Sequence, residues 1–262
     1  MKPVSYCLVG GSSPIAEDRR ISRRYIDRGA DEIDDRCQTA WDRNYRAIHF
    51  HNWYGAFADS PGGDMQFDQY WHMRKANTDG RFDKMLDSKA IVMVVRKWVE
   101  RGMEVTFYVG TLRADLDFKG GTEADNAIYR LYMSLRMPLD AGATIGLDVA
   151  YDAKPGDLVY GVMMLLKALG VKYYIEPSPL KTNTDRNEPT VMTYARWEHM
   201  TRSPETTAFR FTPETRVIMA DKMDEAGTIQ TFDKIVAHGH TPMVPSHIKF
   251  KVSADGTILE AE

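Results

Sequence analysis

"ATIGLDVAYDAKPGDLVYGVMMLLKALGVKYYIEPSP", residues Ala143 to Pro179, holds two apolar segments separated by an amphipathic helix, and acids stand near the end of each: Asp148 and Asp152 after the first, Glu176 after the second. A carboxylate is costly to desolvate, so a strand that ends in one is leaving the core or presenting the acid for a purpose. A glycine precedes each apolar segment, in "DAG-ATI" and "ALG-VKY", and the same joint occurs upstream at "ERG-MEV". Glycine at such a joint takes the left-handed conformation that closes a helix and turns the chain into a strand. Three of these joints predict successive β-helix-β units with parallel strands, the fourth and fifth strands being neighbours.

Outward from this stretch the alternation continues. Towards the amino terminus, "VSYCLVGG" reads as a strand, Ile33, Cys37, Ala40 and Trp41 as the apolar face of a helix, "AIHFHNW" as a second strand, Ile91, Val94, Val95 and Trp98 as a second helix face and "MEVTFYVGT" as a third strand. Ile128, Leu131, Tyr132 and Leu135 form a further helix stripe, and Leu158, Val162, Leu165, Leu166 and Leu169 another. Beyond Pro179, "TVMTYARWEHM", "TRVIMADKMD" and "TPMVPSHIKFKV" supply three more candidate strands. The total of about eight is the number a β/α barrel needs. No G-x-G-x-x-G follows the first strand and "VGGSSP" lacks the phosphate-loop lysine, which removes the main support for an open nucleotide-binding sheet. The fold expected is therefore α/β: a (β/α)8 TIM-type barrel over residues 1–247, irregular in its second half. Asp255-Gly256 lies between two alternating segments and predicts a C-terminal β-hairpin extension over residues 248–262, outside the barrel.

Composition narrows the function classes. The 262 residues are 43% hydrophobic and 27% charged, ordinary for a globular domain, with no apolar run long enough to span a membrane. The first eleven residues carry one lysine and a short apolar patch, too little for a signal peptide, so a cytoplasmic location or assembly into a particle is expected. A net charge of -3 and a pI near 6.2 argue against general nucleic-acid binding, although "RRISRR" at Arg19 to Arg24 is a local basic patch. Cys7 and Cys37 make neither a disulfide framework nor a zinc motif and read as buried thiols in a reducing compartment.

In a β/α barrel the reacting groups come from the carboxyl ends of the strands. That rule collects His49, His51, Trp53 and Tyr54 from the second strand, Arg113 after the third, Asp148, Tyr151 and Asp152 from the fourth, Glu176 from the fifth, Trp197 and Glu198 from the sixth and Asp221 from the seventh. Adjacent strands lie about 4.8 Å apart, so Asp148 and Glu176 at equivalent heights can flank a small reacting group. Two flanking carboxylates are the minimum equipment for glycoside hydrolysis, and aromatic rims stack on sugar faces. The structural reading of the same residues is an acid paired with a neighbouring Arg or Lys, and aromatics that only pack the barrel mouth.

With Asp148 after strand four, Glu176 after strand five and Asp221 after strand seven, the chain resembles in outline the barrel glycoside hydrolases, in the manner of the α-amylase-like families. The resemblance spans roughly Val4 to Pro245. It implies Asp148, Glu176 and Asp221 as catalytic carboxylates, while the strand-end rule makes His49, His51, Trp53, Tyr54, Arg113, Tyr151, Asp152, Trp197 and Glu198 the candidates around the substrate. Those families place an Arg two residues before the strand-four Asp, where this chain has Gly146, so only the carboxylate pair is carried over.

The expected partner is a carbohydrate or other small polar ligand, without cofactor or metal. Two other readings compete. "HFH" sets His49 and His51 on one strand face, as metal-dependent hydrolases do, with further ligands to come from His199, His238, His240 or Asp221. Alternatively the barrel is a non-catalytic structural protein of a larger assembly, an oligomer or a virion-like particle, joined through the 56–80 insertion, whose length suits a lid or a contact surface. Of these, glycoside hydrolysis is the reading favoured from the sequence.

Overall fold

The computed structural model describes residues 4–8, 23–51, 77–109, 135–147, 164–175, 192–196, 215–219, 241–246, 250–254 and 258–259. Among these, the strands in chain order are β1 (Val4–Leu8), β2 (Ala47–His51), β3 (Glu104–Val109), β4 (Thr144–Leu147), β5 (Tyr173–Ile175), β6 (Met192–Arg196), β7 (Thr215–Met219), β8 (Thr241–Pro245), β9 (Lys251–Val252) and β10 (Ile258–Leu259). β1 to β8 pair in sequence order, each parallel to the next, and β8 returns to pair with β1, so this sheet closes on itself. The register shifts once, between Thr193 and Tyr194 where β6 meets β7. β9 and β10 form a separate antiparallel pair.

The helices follow from their apolar stripes. In α1 (Ala30–Asp42), Ile33, Cys37 and Ala40 are buried with Trp41 partly so, and in α3 (Ser88–Glu100), Ile91, Val95 and Trp98 are buried with Val94 partly so. A short α2 (Asp83–Leu86) precedes α3, and Asp87 caps α3 by accepting a hydrogen bond from the Ala90 N–H at 3.1 Å. Helical stretches at 23–28, 135–140 and 164–168 complete the described set. The last of these departs from the stripe read in the sequence. Leu166 is buried, but Leu165 and Leu169 are 51% and 60% exposed, because a run of apolar residues longer than one face must turn some of them outward.

α1 packs against α3, and a polar contact fixes the pair: Asp34 accepts from the Trp98 indole N–H at 2.6 Å and from Lys97 Nζ. That bond satisfies the one polar atom of a fully buried tryptophan. Glu32, 1% exposed, is held between Arg28 of the preceding 23–28 stretch at 2.9 Å and Arg36, one helical turn further along α1, at 2.7 Å. A buried carboxylate is tolerated when its charge is paired and its oxygens are hydrogen-bonded, as here.

Each described helix-to-strand joint repeats one hydrogen-bond pattern. At Gly102, Gly142 and Gly170, with φ of 94°, 71° and 66°, the following residue donates to the carbonyl five positions back: Met103 to Trp98, Ala143 to Pro138, Val171 to Leu166. This is the Schellman closure that glycine favours. A fourth joint uses Asn44 at φ 66°, with Tyr45 donating to Ala40.

The pleat then sorts the strands. Ile48 and Phe50 on β2, Val105 and Phe107 on β3 and Val244 on β8 belong to one buried cluster with the apolar faces of α1 and α3, so this side of the sheet faces the helices. Phe50 and Phe107 are register partners and stack at 5.3 Å. Phe250 and Val252, in the C-terminal segment, are buried in the same cluster.

Candidate functional site

With Ile48 and Phe50 turned towards the helices, strand alternation turns His49 to the opposite face, the inside of the closed sheet. The register sets a row at that height: Tyr6, His49, Thr106 and Thr144 are successive partners across β1 to β4. His49, Thr106 and Thr144 are 2%, 2% and 5% exposed. A row of polar side chains where branched aliphatics are the rule is the unusual feature of this interior. Burial pushes the His49 imidazole down to about 3, so at neutral pH it is an uncharged hydrogen-bonding group rather than a cation.

Two residues further along these strands, Tyr108 pairs with Gly146 and Gly146 with Tyr174. Gly146 thus takes an inward register position without contributing a side chain. The final partners of β4 and β5 are Leu147 and Ile175, and the residues directly after them in the sequence are Asp148 and Glu176.

Asp148, Glu176, Asp221, Trp53, Tyr54, Arg113, Tyr151, Asp152, Trp197 and Glu198 lie outside the described residues, as do His199, His238, His240 and the glycine-rich turn at Gly10 to Pro14. Of the 56–80 insertion, only residues 77–80 are described. His49 and His51 are strand residues, with His51 in register with Leu8. Among the described residues no group of three or more His, Cys, Asp or Glu is placed to hold a metal ion.

No family model matches this chain, and no curated protein does. A crystal structure of a D-psicose 3-epimerase in the presence of D-fructose is similar to it at 13% identity and a TM-score of 0.46, over 98% of this chain and 88% of that one. At that degree of overlap the likeness carries no chemistry across. No helix among the described residues is long and apolar enough to cross a membrane.

Thr106 and Thr144 escape a search for acids and histidines, yet they share the interior row with His49. Their signal in the sequence is alternation. In "EVTFYV" and "TIGL" a threonine occupies an inward position between residues that face the helices.

Proposed function

We propose that the chain is a (β/α)8-type barrel with a carbohydrate-binding cleft at the carboxyl ends of its strands, and that it acts there as a glycoside hydrolase through Asp148 and Glu176. The observation that carries this reading is the register of β4 and β5, parallel neighbours whose last partners are Leu147 and Ile175. Were that register to continue by one residue, Asp148 would stand opposite Glu176, two positions beyond Gly146 and Tyr174. A strand spacing of about 4.8 Å suits two carboxylates that work together, and it matches the separation of about 5–5.5 Å used with retention of anomeric configuration better than the wider one used with inversion. Asp148 is assigned as nucleophile and Glu176 as general acid/base, with Asp221 as a supporting carboxylate.

The test is turnover on a broad panel of chromogenic glycosides, read together with melting temperature. Asp148→Asn and Glu176→Gln are each expected to lower turnover by orders of magnitude at unchanged melting temperature, and their effects are expected not to add. If both variants melt early and keep their activity per folded molecule, the acids are structural ion pairs. No hydrolysis by the wild-type protein across the panel would favour the non-catalytic barrel.

A further inference from the structure

α1 and α3, packed against each other on the outside of the sheet, carry opposite charge on their outer faces. In α1, Asp31, Asp35 and Asp42 are exposed, and no Lys or Arg is, since Arg36 is turned inward to Glu32. In α3 the exposed ionisable residues are Lys89, Arg96, Lys97 and the single acid Glu100, and Met93 among them is 74% exposed. Spacings of three, four and seven residues put each set on one helix face, opposite the buried stripe. Asp35 is paired with Arg28, and Lys97 with Asp34. Asp42 accepts from the Gln38 amide and Arg96 donates to the Asp140 carbonyl, but Asp31, Asp42, Lys89 and Arg96 have no ion-pair partner among the described residues.

The two helices run parallel: Asp34 meets Trp98, and Trp41, further along α1, meets Arg101 just beyond α3, at 4.4 Å. A twofold axis outside the pair, midway between the helices and parallel to them, sets α1 of each copy against α3 of the other. Acid then faces base twice, with Met93 as the apolar centre of each contact. An axis running across the helices would set α1 against α1 and bring like charges together, so the charges also select the arrangement. We propose that this face docks a second copy of the chain, forming a twofold dimer with α1 of each protomer against α3 of its partner. Charge complementarity steers and selects such a contact more than it strengthens it, so the dimer is weak and sensitive to salt. The dimer does not rest on the hydrolysis proposed for Asp148 and Glu176, and the two readings stand or fall separately.

Sedimentation velocity of the full chain tests this. Dimer is expected at low ionic strength and high protein concentration, with association weakened about tenfold or more as salt is raised to about 0.5 M, where exposed charges are screened. Lys89→Glu combined with Arg96→Glu makes both outer faces acidic, and Asp31→Lys combined with Asp42→Lys makes the α1 face basic like that of α3. Each double variant alone is expected to be monomeric, and a one-to-one mixture of the two to associate, because both contacts then join acid to base. All four positions are exposed, and melting temperatures close to wild type are expected to show that the variants fold. A wild-type chain that stays monomeric at low ionic strength would overturn the proposal without any variant. Association that survives salt or either double variant, or a mixture that stays monomeric, would overturn it too.

Discussion

Burial decides the chemistry of His49. Its sequence context, His49-Phe50-His51, admits a metal ligand, a sugar contact or an interior residue, and burial inside the closed sheet adds its protonation state. Two per cent exposure, with Thr106 as its register partner on the next strand, makes it an uncharged interior group. With the folded value near 3 against an ordinary 6.5, the unfolded chain takes up a proton between those values that the folded chain refuses. The stability linked to His49 is thus fully present above about pH 6.5 and is lost as the pH falls towards 3, at up to about 1.4 kcal/mol per pH unit. Urea midpoints measured at pH 7 and pH 5 are expected to differ more in wild-type protein than in His49→Gln, which has no titrating group there. Equal differences in the two proteins would show that the imidazole is protonated in the fold.

At the scale of elements, the sequence is most legible where a local rule has a single residue type as its signature. The three helix-Gly-strand joints are visible because glycine is the residue that left-handed closure favours, and Gly102, Gly142 and Gly170 do have positive φ. The fourth joint was not legible in "WDRN-YRA", since Asn44 looks like any polar turn residue until its φ of 66° is seen. Asn44 also does what glycine cannot: its side-chain Nδ2 donates to the Val252 carbonyl at 2.7 Å. The two roles are separable. Asn44→Gly keeps the turn and loses one hydrogen bond, an expected cost of about 1 kcal/mol. Asn44→Ala loses the bond and also forces a Cβ-bearing residue without local side-chain compensation into the left-handed region, adding about 1–2 kcal/mol. Denaturant unfolding of both variants checks the order, and equal losses would mean that the backbone conformation there is not strained. The 164–168 helix was less legible for the opposite reason: apolar periodicity marks a helix, but it does not say which of Leu165, Leu166 and Leu169 meets the sheet. For the candidate site, Asp148 and Glu176 are read only as the residues that follow Leu147 and Ile175 in the sequence, whereas the buried row of His49, Thr106 and Thr144 required the register.

For the whole molecule the decisive contact is the seam, where β8 pairs with β1 and joins the last strand of the sheet to the first. On the helix-facing side of that seam Val244 of β8 is in register with Ser5 of β1, and both are buried. Within a few residues the chain then runs through Phe250 and Val252, which enter the same buried cluster as Ile48 and Phe50. The Val252 N–H donates to the Arg43 carbonyl at 2.9 Å, so the C-terminal segment is held against the turn that leads into β2, the other neighbour of β1. A segment that sequence alone marks as an extension therefore packs across both strands that flank the start of the chain. Phe250→Ala is expected to cost about 3–5 kcal/mol, the range for emptying a fully buried aromatic site, and to speed amide hydrogen exchange at Ser5 and Tyr6, because the opening that exposes the cluster also frees β1. If the C-terminal segment instead folds as an appendage, Phe250→Ala will leave both the melting temperature and the exchange of β1 at their wild-type values.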